Sequence, residues 1–185
     1  MTISRDDAAQ ALSDIASAQN RSYALAGYSM ASPILIIWGL IWMAAYTAMG
    51  LMPVAQWGLV WLPADIIGIL ATLVLTGRAT KKVGAKGQGW RIIGFMVLIL
   101  VTCSGLFAMI RTQDLNVYMA FPGLLAGAIY ATIGLSRMPR YLWLGAAVIA
   151  ASLVGFFVFP SILPYWMAVA GGGGLIVGGL LFRRA

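Results

Sequence analysis

Six runs of roughly 20 apolar residues recur along the chain, the length an α-helix needs to cross about 30 Å of hydrocarbon. In hydrocarbon each backbone N–H and C=O must be satisfied inside the protein, so such runs fold as helices. With 62% hydrophobic and 9% charged residues, the composition lies outside the soluble globular class. The expected fold is an all-α integral membrane protein of six transmembrane helices, arranged as three sequential αα-hairpins, with an N-terminal amphipathic cytosolic helix. The spans are expected near 33–50, 56–76, 91–110, 115–135, 141–159 and 162–182. Residues 1–29 then form a cytosolic or interfacial helix and residues 30–185 the transmembrane domain. The joins at 51–55, 111–114 and 159–161 leave no room for an external domain.

Residues 77–91, GRATKKVGAKGQGWR, form a basic connector between the second and third spans. Arg78, Lys81, Lys82, Lys86 and Arg91 lie there with no acid among them. Basic flanks stay on the cytoplasmic side, so this loop sets the orientation. With both termini inside, every one of the 12 basic residues except Arg111 falls on the cytoplasmic face. Asp114, three residues after Arg111, is expected to cap the fourth span. Trp90, Tyr141 and Trp143 would mark the inner interface, and Trp57, Tyr165 and Trp166 the outer one. The location this implies is a multi-pass protein of a cell membrane, the bacterial inner membrane, with no cleavable signal at MTISRDDAAQ. The net charge of +7 is accounted for at span ends, so nucleic acid is not an expected partner.

Within residues 2–27, Ser4 and Asp7 have the spacing of a capping box, with Asp where Glu or Gln is usual. Ala8, Leu12, Ile15, Ala16 and Tyr23 fall on one helical face, and Asp7, Asp14 and Arg21 opposite. Helices that lie on anionic lipid carry a basic polar face, and this one is acidic. It therefore suits a protein surface, either the bundle itself or a cytosolic partner. The plainer alternative is a helix that only leads into the first span, with Pro33 at that span's start.

Asp65 is the only acid well inside a span, and an Asp at span centre costs about 3 kcal/mol on insertion. Eight residues from Trp57, it would lie about 12 Å below the outer interface. Tyr46 and Thr47, Thr102 and Ser104, and Ser152 fall at the same depth. A carboxyl there could bind and release a proton or cation. Alternatively, Pro63 starts the helix and Asp65 caps its first turn. Trp38, Trp42 and Tyr46 form an i, i+4, i+8 stripe, read either as helix packing or as the wall of a lipid or pigment pocket. Gly123 and Gly127 in the fourth span, and Gly171, Gly174 and Gly178 in the sixth, have the small-residue spacing of close helix contacts. AGGGG at 170–174 could instead be an unwound, ligand-coordinating segment. A faint repeat places Gly68, Gly127 and Gly173 ten residues before Arg78, Arg137 and Arg183.

Enzyme chemistry has little to draw on. There is no His, no Glu and one Cys, Cys103, so imidazole metal sites and a Ser-His pair are excluded, and no cofactor or metal is expected. The leading expectation is a non-enzymatic membrane protein, a sensor, scaffold or regulator, that engages a cytosolic partner through its N-terminal helix and basic loop. Two alternatives stand beside it: a small proton-coupled carrier centred on Asp65, and an accessory subunit of a larger complex. Besides the lipid bilayer, the expected contacts are a cytosolic protein or a second copy of the chain.

Overall fold

The structure is a computed structural model that describes residues 5–83, 89–110, 114–136 and 138–184. All regular structure among them is helical. The chain runs α1 (Arg5–Leu51), a 3₁₀ turn (Val54–Gln56), α2 (Trp57–Val83), α3 (Gly89–Ile110), α4 (Leu115–Ser136) and α5 (Pro139–Val158). A second 3₁₀ turn (Pro160–Ile162) leads into a last rod made of α6 (Leu163–Trp166), a π-helical stretch (Met167–Gly172) and α7 (Gly173–Arg183). Five of these helical segments are long and apolar enough to cross a membrane: Gln10–Leu51, Val54–Ala79, Leu115–Leu135, Pro139–Val158 and Pro160–Arg183. In α3 the described apolar stretch is the shorter Val97–Leu106.

Two departures from expectation concern α1 and α2. The N-terminal helix and the first span are a single helix of 47 residues, with Pro33 inside it. Proline lacks one donor and crowds the preceding turn, which in water usually marks a helix end. Apolar spans tolerate it because neighbouring helices and local adjustment re-satisfy the freed carbonyl. For the same reason α2 starts at Trp57 and runs through Pro63. Asp65 therefore sits in the helix interior and is not a first-turn cap. At its other end α2 continues to Val83, so Arg78, Lys81 and Lys82 are on a helix and not in a loop, as is Arg91 in α3. Lys86 lies outside the described residues, as do Ser4 of the capping box, Arg111 and Arg137.

The core is built on α1, α4, α5 and the last rod. Tyr46, Val148, Ser152, Leu163, Met167 and Leu175 are its least accessible large side chains. Two backbone-to-backbone crossings hold it. Where α1 meets the rod, a Cβ on Gly39 would stand 2.6 Å from the Gly172 carbonyl, and one on Gly179 would stand 2.8 Å from that of Ser32. Where α4 meets α5, a Cβ on Gly145 would stand 2.5 Å from the Gly127 carbonyl. In lipid, apolar surface gains nothing by leaving solvent, so this van der Waals contact is what draws helices together. The most extensive pairings are α4 with α5 and α1 with α7. Among the described residues the principal neighbour of α3 is α2, and that contact is sparse. The outer faces carry Leu59, Leu62, Ile66 and Leu70 of α2, Leu98 and Val101 of α3, and Phe157 of α5, all exposed. An apolar jacket of this kind suits lipid and would aggregate in water.

Asp114 caps α4: its Oδ1 accepts the Asn116 N–H at 2.9 Å, as the sequence anticipates. At the opposite end, the start of α5 and the end of α7 meet the middle of α1 through aromatic rings. Tyr28 of α1 lies 4.8 Å from Phe182 of α7, which lies 4.8 Å from Tyr141 of α5. The Arg140 guanidinium sits 5.3 Å from the Tyr28 ring centroid and donates to the Leu181 carbonyl. Tyr141 is thus buried against neighbouring helices, whereas Trp143 is 76% exposed.

The crossing geometry gives a direct test. Gly145→Ala is expected to lower stability by about 1–3 kcal/mol through overpacking, measured by reversible unfolding in detergent. Gly94→Ala, where a Cβ meets open space, should leave it unchanged.

Candidate functional site

Two features stand apart from ordinary packing: a polar seam between α1 and α2, and the length of α1 that leaves the bundle. The seam follows from spacing on α2. Trp57, Trp61, Asp65, Gly68, Thr72 and Thr76 recur at three or four residues, so they share the face turned to α1. Trp57 Nε1 donates to the Met49 carbonyl at 3.2 Å, and Trp61 Nε1 to the Met49 sulfur at 2.8 Å. Further along, Trp38 Nε1 donates to Thr72 Oγ1 at 3.0 Å, while Thr72 donates back to the Gly68 carbonyl. Gly68 leaves room for the Trp38 ring, whose atoms would lie 2.6 Å from an added Cβ. From Trp57 to Thr76 the seam spans about 28 Å, close to the thickness of hydrocarbon.

Asp65 lies within this seam, half-buried. Tyr46 is fully buried, and its hydroxyl donates to the Met119 carbonyl of α4 at 2.8 Å. Its ring meets Trp61 edge-on at 5.1 Å and Trp42 at 5.7 Å. The Trp38–Trp42–Tyr46 stripe therefore packs into the bundle and does not line a pocket. Asp65 makes no hydrogen bond or ion pair with any described residue.

The other residues singled out from the sequence do not converge on Asp65. Thr102 and Ser104 are on the exposed side of α3, and Cys103 between them is half-buried. Thr47 is exposed and bonds back to the Met43 carbonyl. Ser152, buried beside Gly123 and Met167, bonds back to Val148. Of the glycines, Gly123 meets Ser152, Gly127 meets the backbone of α5, Gly171 lies against Trp42 and Gly178 against Leu144. Gly174 has open space where a side chain would stand, as does Gly173. The 170–174 stretch remains helical, its first residues in the π turn.

The second feature is the free length of α1. From Gln10 to Tyr23 every residue is exposed, including Leu12 at 68% and Ile15 at 54%. Burial begins at Tyr28, clamped as described above. The 19 residues from Arg5 to Tyr23 therefore project as an arm of about 28 Å. Trp61, Met49, Thr72 and Cys103 are seam members that the sequence reading passed over. The first and third were findable at four and seven residues from Asp65, but Cys103 depends on how α3 is rotated. No protein-family model, curated protein or solved structure matches this chain.

A double-mutant cycle across the seam, Trp38→Phe with Thr72→Val, should return a coupling of about 0.6 kcal/mol, within the range for interhelical bonds in membranes. Additive effects would mean that the indole and hydroxyl do not interact.

Proposed function

We propose that this protein is a membrane-anchored scaffold or regulator that presents a rigid helical arm to a cytosolic protein. The observation that carries the reading is the unpacked stretch from Gln10 to Tyr23, continuous with a helix fixed in the bundle. A lone helix of this length is marginal in water because nucleation is costly. Here the packed part of α1 supplies the nucleus, and Ala11, Ala16, Ala18, Ala24 and Ala26 favour its extension. Leu12 and Ile15 remain exposed on one face of the arm, and the acidic opposite face disfavours anionic lipid. The basic ends of α2 and α3, Arg78 to Arg91, form the second part of the partner-facing surface.

The topology that goes with this function has six crossings, with α3 as the third, in a bacterial inner membrane. We place both termini in the cytoplasm. Tyr28, Arg140 and Phe182 meet at one end of the bundle, where Arg183 and Arg184 also lie, and that basic end suits the cytoplasmic face. The three-hairpin order of the spans is part of the proposal. The chain's role is taken as non-enzymatic on the scarcity of acid, base and nucleophile in the sequence.

A photo-crosslinking residue placed at 12 or 15 in cells should yield adducts with another protein, whereas one at 13 or 20 should yield few. Leu12→Ser with Ile15→Ser should abolish the adducts without lowering membrane levels. Equal labelling around the helix, lipid adducts alone, or a dimer of this chain would refute the partner reading.

A further inference from the structure

The carboxyl of Asp65 has a chemistry that the arm does not use. The sequence has no His, and among the described residues no basic side chain pairs with it. Tyr46 of α1 packs on Trp61, one turn before Asp65 on the same face, at 5.1 Å, and α3 contributes the half-buried Cys103. The single Tyr46 O–H is already spent on the Met119 carbonyl, and a thiol is a weak donor. Nothing described within the fold therefore balances a negative charge at this position. An unpaired carboxylate held at this depth is costly, so its charge must be offset by something from outside the helices. Among the described residues α3 packs only sparsely on α2, and Asp65 is half-buried, so the carboxyl is not sealed inside the bundle.

From this placement we infer that Asp65 is a proton-exchanging site at the junction of α1, α2 and α3. The carboxyl takes up a proton from the aqueous phase through the α2–α3 side of the seam and returns it by the same path. The inference rests on the seam alone and is independent of what the arm binds.

Dicyclohexylcarbodiimide, an apolar reagent that attacks protonated carboxyls, tests it on the full-length chain in native membranes. Intact-mass analysis should show one adduct per chain at about pH 6, falling severalfold by about pH 9. Asp65→Asn should remove the adduct and Asp65→Glu should restore it, while Asp114→Asn should leave it in place. Loss of pH dependence would mean a carboxyl permanently closed off from water, and would overturn the proposal. So would the absence of any adduct on the unaltered chain, or its persistence in Asp65→Asn. Because the pH profile is read on the unaltered chain, the test does not depend on any variant folding.

Discussion

The structure depends on how closely the first and last helices approach one another. At Gly39 and Gly172, and again at Ser32 and Gly179, carbonyl oxygens of one helix stand where a side chain of the other would be. Lipid offers no hydrophobic drive for this pairing, so close backbone contact has to supply it. The pairing links the two ends of the chain and fixes α1 over its membrane length. The α4–α5 crossing at Gly127 and Gly145 does the same on the other side of the core. Tyr46 joins the two halves through its bond to Met119. Helix α2 is held to this frame by indole bonds along one polar face, and α3 is the least anchored element described.

Fixing α1 has a consequence outside the bilayer. Tyr28, Arg140, Tyr141 and Phe182 gather where α1 leaves the core, so the helix departs with a set direction. A helix that begins inside a packed bundle can extend into water without meeting the cost of nucleation again. The arm is therefore a product of the packing of the bundle, and its exposed apolar residues are held at a defined distance from the core.

The helical class and most span positions were legible in the sequence, because hydrocarbon demands long apolar helices and little else. The cap at Asp114 was legible too, since Asx capping is local. What the sequence obscured came from rules learned in water. Pro33 and Pro63 read as helix starts, yet both lie inside helices, which joined the arm to the first span and carried Asp65 away from any capping role. Glycine spacing located close contacts at Gly123, Gly127, Gly171 and Gly178 but failed at Gly174, for another reason. The π turn at Met167–Gly172 widens the last rod and shifts its faces, so α1 meets Gly172 and Gly179, while Gly174 faces open space. Whether Thr102, Cys103 or Ser104 faces Asp65 depends on the rotation of α3, which no local pattern encodes.

The claim on which the account turns is that α1 is one unbroken helix from the arm through the membrane. Spin labels at residues 10 and 40, on a chain whose Cys103 is replaced by Ala, report it by pulsed electron–electron distance measurement in lipid nanodiscs. Thirty residues of α-helix predict a single narrow distribution centred near 45 Å. A broad distribution, or one centred well below that distance, would mean that the arm hinges at Pro33 or folds back on the bundle, contradicting the account.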